Sequence, residues 1–272
     1  MMRIALLTLE ALAAAGPVRR FVSAHPERIA LVALSDPFRP QRGGTFGQAV
    51  HLLRRSGPRF LPYLAANFVL PRLAGLFARE VADAARTPLA TLSTRLGLPV
   101  ETVADVNAPS FHDRLRASGA EVIVTFHCDQ ILDAETIGVL PHGGVNVHAG
   151  LLPDHRGPVP TVHALLENLP RLGVTVHRLV PRIDAGAVLA QRALDLPPST
   201  TALEAALRLH EAAVPLLVEV LDRMAAGKLV ERQVVPAPYC GFPTRDERRR
   251  LARSGRHAAG WNDLRRALRT PV

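Results

Sequence analysis

Four short strand-like runs constrain this chain more than anything else in it: "RIALLTL" (3–9), "RIALVALSDP" (28–37), "EVIVTF" (121–126) and "GGVNVHA" (143–149). The first three are continuously apolar and show none of the polar alternation of a strand with one wet face, so each reads as a strand buried on both sides, while the fourth sets Asn146 and His148 between its valines. Such strands need cover above and below. Helix-like sequence such as "APSFHDRLRASG" precedes the later runs. The pattern predicts an α/β fold: a Rossmann-like, mostly parallel sheet flanked by helices, with functional loops at the carboxyl ends of its strands. No G-x-G-x-x-G follows the first strand, where the chain reads "LTLEALAAAG", so bound NAD or FAD is not expected.

The remaining elements follow from period and punctuation. "EALAAAGPVRRFVSA" reads as helix interrupted near Gly16 and Pro17. Residues 161–169 read as a helix, 172–180 and 187–196 as strands, and 200–229 as a long amphipathic helix. Thr200 or Thr201 would cap that last helix, with Glu204 near N3, and Pro215 is expected to kink or break it. The domain reading is a catalytic unit over 1–200 containing a helical insertion at 38–95. A C-terminal helix and basic extension follow over 201–272, with one or two short helices folding back.

The insertion holds "RRSGPRFLPYLAANFVLPRLAGLFARE", whose apolar stretch is broken at Pro62 and Pro71, short of the ~20 residues that cross a bilayer. It reads as a helical pair packed on the domain or on another subunit, which leaves a homodimer open. The alternative is peripheral membrane contact through 55–78, flanked by Arg54, Arg55, Arg59 and Arg72.

Lys and Arg outnumber Asp and Glu by 33 to 24 in the 272 residues, and Lys228 is the only lysine. A net charge of +9 steers anionic partners, or marks an arginine-rich solvated surface. With aromatic content at 4% and no recognition motif, charge alone favours a nucleic-acid partner, and none is expected. Cys128 and Cys240 fit no metal or redox spacing, and "MMRIALLTLE" is not a signal peptide, so the expected compartment is the cytoplasm.

Chemistry concentrates in "NVHAGLLPDHRGPVP" (146–160), too rich in proline for a helix or a buried strand and therefore a shaped loop. Asn146 and His148, two residues apart, project from one strand face at its mouth. Asp184 in "VPRIDAGAVLAQ" follows a predicted strand, and Gly186 allows a turn that aims the carboxylate back; beside an imidazole it suits acid–base work near neutrality. His142, His148, His155 and His163 match no ligand spacing, so no metal is expected. Cys128 and His127, adjacent on a strand, point to opposite faces and make no nucleophile–base pair.

Taken together, N-x-H, then L-L-P-x-x-R-G-P, then G-V-T-V-H, then I-D-x-G resembles the folate-dependent formyltransferases of methionyl-tRNA, glycinamide ribonucleotide and amino sugars, and the hydrolase of 10-formyltetrahydrofolate. The resemblance is strong over about 120–195. It implies the formyltransferase fold and 10-formyltetrahydrofolate as co-substrate, with no metal. It also implies Asn146, His148 and Asp184 as catalytic residues, and Phe126, His127, Cys128, Ile131, Leu152, Pro153, Arg156, Gly157 and Ile183 around the folate, Arg156 either anchoring the loop or touching ligand.

Where many members carry Pro-Ser after the histidine, this chain has Ala149-Gly150, a change in loop shape or acceptor room. No alternating strands occur over 230–272 for an RNA-binding barrel. The expected acceptor is a small or carrier-linked amine, anionic overall: an amino sugar nucleotide, a lipid-linked amine or a specialised metabolite. The tRNA, purine-pathway and hydrolase readings, and a non-enzymatic basic binding module, stand as alternatives.

Overall fold

The computed structural model describes residues 1–35, 55–76, 87–167 and 171–272. In chain order these hold β1 (Ile4–Thr8), α1 (Leu12–Ala24) and β2 (Ile29–Ser35), then the short helices α2 (Leu61–Leu64) and α3 (Leu70–Leu76), joined by a π-helical turn at Ala65–Val69. Next come α4 (Leu89–Arg95), β3 (Val100–Val103), α5 (Pro109–Ala117), β4 (Val122–Phe126), α6 (Ala134–Ile137), β5 (Gly144–His148) and α7 (Pro160–Leu166). The chain closes with β6 (Leu172–Arg178), β7 (Val188–Leu194), α8 (Ala202–Ala225), α9 (Arg245–Arg253) and α10 (Trp261–Ala267).

The strands form one seven-stranded sheet ordered β3-β2-β1-β4-β5-β6-β7. The first five are parallel, while β6 and β7 are added antiparallel. All five residues of β1 and of β4 are buried, as the unbroken apolar runs require. Alternation divides them between two cores. Ile4, Leu6, Val122 and Val124 join Phe21, Leu209 and Leu217 on the side of α1 and α8, whereas Ala5, Leu7 and Ile123 join Phe111 and Leu115 of α5 on the other. Burying one such aliphatic side chain is worth about 1.5–3 kcal/mol, so both faces of the sheet are anchored by its central strands. The strand missed in the sequence is β3, whose "VETV" is half-exposed at the sheet edge and too polar to stand out.

Two expectations about proline are corrected. Helix α1 runs unbroken through Pro17, which has no N–H to give the carbonyl of Ala13 four residues back; Nδ1 of His210 on α8 donates to that carbonyl at 2.8 Å instead. Helix α8 likewise continues through Pro215, which lies on its exposed side, so the carbonyl left over, that of exposed Glu211, is on the solvent face. Thr201 is the cap: its side chain accepts from the Glu204 N–H at 3.0 Å.

The described part of the insertion is helical and packs inward. Phe60 stacks on Tyr63 with ring centroids 4.8 Å apart, and both are buried. Buried Asn67 accepts the Ala13 N–H at 2.9 Å, capping α1, which has no side-chain cap of its own. Leu61, Val69, Leu73 and Leu76 stay exposed on the outer side. Among the described residues no helix is long and apolar enough to cross a membrane. The expected helices of the tail are α9 and α10, which clamp the insertion: Val272 N–H donates to Pro71 at 3.0 Å, and Arg248 donates to the Ser56 carbonyl.

Candidate active site

A cleft of about 990 Å³ opens at the carboxyl ends of β1, β4 and β5, walled by the insertion, α8 and the loop after β6. Open α/β sheets place ligands there because the strand order reverses at that point, here between β1 and β4. Asn146, His148 and Asp184 all line it, together with His177.

Register explains how they meet. Thr125 of β4 lies beside Asn146 of β5, and Asn146 lies opposite His177 of β6. The Thr125 hydroxyl donates to Asn146 Oδ1 at 2.7 Å, which turns the Asn146 amide nitrogen toward the cleft. Its two hydrogens face His177 Nε2 at 3.0 Å and Asp184 Oδ1 at 3.2 Å. His177 Nδ1 faces the Arg178 carbonyl at 2.8 Å; a carbonyl only accepts, so Nδ1 carries the hydrogen and Nε2 is the acceptor for Asn146. His177 therefore fixes which way the asparagine points. Its signal in the sequence was the end of "GVTVH", legible only once β6 was known to run antiparallel to β5.

Asp184 occupies left-handed backbone at φ 46°, a conformation aspartate tolerates better than most residues. Its Oδ2 accepts the Gly157 N–H at 2.9 Å and lies 3.6 Å from His148 Nδ1. At Gly186 the backbone turns so closely over the Arg178 carbonyl that a Cβ would collide with it, so glycine is needed there. On the far side of the imidazole, His148 Nε2 donates to the His155 carbonyl at 3.2 Å. Gly150, in place of a larger residue, makes this ring position available, since a Cβ there would stand 2.8 Å from Nε2.

Burial sets the charges. It pushes the His148 imidazole below its ordinary value, although the nearby Asp184 carboxylate pulls the other way. For Asp184 burial acts to raise the carboxyl, but His148, His177 and the Gly157 N–H outweigh it and hold the group at about 2. A permanent anion thus faces an imidazole that is neutral in the resting protein.

Of the residues assigned to the folate, His127, Cys128, Ile131, Gly157 and Ile183 line the cleft. Phe126 does not, because it points from β4 into the core at zero exposure. Leu152 and Pro153, joined by a cis peptide, also lie away from the lining, and Leu152 is buried. Arg156 is an anchor: its buried guanidinium donates to the carbonyls of Ile183, Asp184 and Ala237, tying the 146–160 loop to the turn that carries Asp184. Gly157 adopts φ 133° and packs against the Cys240 carbonyl, which brings Tyr239 to the rim. The sequence reading missed Asn67, Phe68, His210 and Tyr239, which reach the cleft from the insertion, α8 and the tail.

A family model described as formyl transferase matches residues 46–221. Among solved structures, glycinamide ribonucleotide transformylase 1 from Symbiobacterium toebii is 16% identical with a TM-score of 0.58, over 86% of this chain and 95% of that one. A sugar N-formyltransferase from a Shewanella species is 16% identical with a TM-score of 0.57, over 99% of this chain and 88% of that one. An N-formyltransferase from Helicobacter canadensis, in complex with folinic acid and dTDP-3-aminofucose, is 13% identical with a TM-score of 0.56, over 89% of this chain and 71% of that one. At these identities the likeness is one of fold.

Proposed function

The chain belongs to the formyl transferase family, and from that membership we propose that it moves the formyl group of 10-formyltetrahydrofolate to the amine of an amino sugar, with Asn146, His148 and Asp184 as its catalytic group. The observation that carries the reading is the placement of Asp184 between Asn146 and His148, its Oδ1 3.2 Å from the amide and its Oδ2 3.6 Å from the imidazole, at the wall of a cleft large enough for a folate. Two neighbours of the same fold, one described as a sugar N-formyltransferase and the other as an N-formyltransferase in complex with folinic acid and dTDP-3-aminofucose, support both donor and acceptor class.

The chemistry follows from these groups. A neutral amine attacks the formyl carbon, giving a tetrahedral centre with an oxyanion and an ammonium. Asn146 donates to the oxyanion by giving up its longer hydrogen bond, the one to Asp184; a donor of this kind contributes about 3 kcal/mol. Neutral His148 takes the ammonium proton, becoming an imidazolium that the adjacent Asp184 carboxylate stabilises. The proton passes to N10 of the folate as its bond to the formyl carbon breaks, leaving the formamide and tetrahydrofolate. His177 and Arg156 position Asn146 and Asp184 without touching the reacting atoms.

The test is incubation with 10-formyltetrahydrofolate and a panel of amines, including dTDP-amino sugars and a water-only control, following folate release and product mass. Mass gain on an amino sugar supports the reading. Formate released at full rate without an amine would make the protein a hydrolase, and no folate release would remove the activity.

A further inference from the structure

Part of the cleft has no role in the chemistry above. It is lined by Phe68 and Tyr63 of the insertion, His127 after β4, and His210 of α8. His210 is 3% exposed, and its Nδ1 is committed as donor to the Ala13 carbonyl at 2.8 Å. A neutral imidazole with its hydrogen on Nδ1 has a lone pair on Nε2. That nitrogen makes no hydrogen bond among the described residues, although the ring lines the cleft. His127 lies edge-on to it with ring centroids 5.5 Å apart, and burial keeps His210 at about 3 and His127 at about 4, so neither is charged near neutrality. An acceptor that opens on the cleft and has no protein partner is free to receive a donor that arrives with the substrate.

A second observation limits that substrate. The first helix of a doubly wound sheet, beside the strand-order reversal, commonly holds an anion on its free N–H groups. Here the protein fills the position itself. Asn67 Oδ1 takes the Ala13 N–H at 2.9 Å, and the carboxylate of Glu10 lies just ahead, held by Arg19 at 2.5 Å and by the Leu89 N–H at 3.0 Å.

Resting on the formyl-transfer reading, we infer that His210 is an acceptor-binding residue whose Nε2 receives an N–H of the amine, or a hydroxyl beside it, from an acceptor whose amine-bearing end carries no phosphate: a hydroxylated ring with an apolar face against Phe68 and Tyr63. Any phosphates of such an acceptor lie away from the head of α1. An uncharged acceptor holds the amine without favouring its ammonium form, as a carboxylate would, and so keeps the nucleophile able to attack.

His210→Asn separates the two ring nitrogens: the amide nitrogen stands near the position of Nδ1 and keeps the bond to Ala13, while nothing replaces Nε2. With the best substrate from a panel of free amino sugars and their nucleoside diphosphate forms, kcat/KM should fall about tenfold or more, the worth of one buried hydrogen bond, while folinic acid affinity by calorimetry holds. His210→Gln places an oxygen near Nε2 and should recover most of that loss. Unchanged kcat/KM in His210→Asn on every accepted amine overturns the assignment. So does a hydrogen on His210 Nε2 in ¹⁵N-histidine spectra of the unmodified protein across about pH 5–8. Failure of the unmodified protein to bind folinic acid sinks the formyl-transfer reading itself, and the acceptor site with it.

Discussion

Replacing Asp184 with asparagine removes one charge and almost no volume. The left-handed backbone at φ 46° suits asparagine as well as aspartate, and the side-chain oxygen can still accept the Gly157 N–H. What disappears is the anion 3.6 Å from His148 Nδ1, together with the acceptor at Oδ1 for the Asn146 amide. At an effective dielectric of ~20 that separation gives an attraction of about 4–5 kcal/mol for the imidazolium, which exists only after the amine has attacked. The substitution therefore acts mainly on the transition state: kcat should fall by about 10³, with 10² as a lower bound, and folinic acid affinity should change little.

The same carboxylate also contributes to stability. Its lowering from 3.8 to about 2 corresponds to roughly 2 kcal/mol that is present above about pH 4 and lost as pH falls toward 2. The gap in stability between the protein and its variant should close over that acid range. Folate release in steady state measures the first effect and chemical denaturation at several pH values the second. A kcat within about fivefold of normal would refute the role assigned to Asp184.

Because burial pushes His148 below an ordinary imidazole, the neutral base persists into mild acid, and the acid limb of kcat at saturating amine should be centred below pH 6.5; a limb centred at or above that value contradicts the assignment. Gly157→Ala forces a Cβ against the Cys240 carbonyl at φ 133° and should lower kcat/KM by unseating both Asp184 and the Tyr239 rim, read against an unchanged fold by circular dichroism. Phe60→Ala, which empties a fully buried site, should cost about 3–5 kcal/mol in denaturant unfolding, and a cost under about 1 would mean the insertion is not part of the core. By the same reasoning, deleting 55–78 should destabilise the whole protein rather than only change its choice of acceptor.

The fold was legible where one physical rule acted alone. The runs that became β1, β2 and β4 are apolar because helices cover both faces, and no other element competes for that pattern. Edge strand β3 escaped because half-exposure dilutes the signal to four residues. Pro17 misled because the donor that replaces its missing N–H comes from His210, 197 positions away.

The candidate site divides in the same way. Asn146 and His148 could be paired from period two within a strand, and Asp184 from its turn. His177 needed the antiparallel register, while Asn67 and His210 needed tertiary packing that no local pattern encodes. Phe126 and Leu152 were placed beside the folate for their position in a motif, and the alternation of β4 and the burial of the loop direct them elsewhere. The glycine at 150 was visible as a departure from the family pattern. Its consequence, room for the imidazole against the His155 carbonyl, required coordinates.

A crystal structure with a stable analogue of 10-formyltetrahydrofolate tests most directly whether Asn146, His148 and Asp184 surround one carbonyl. The account predicts a pterin between residues 127–132 and 180–184, with the formyl carbon within about 3.5 Å of the Asn146 amide nitrogen and of the His148 ring. A formyl group bound in some other part of the cleft, with the Asp184 carboxylate turned away from the imidazole, would contradict it.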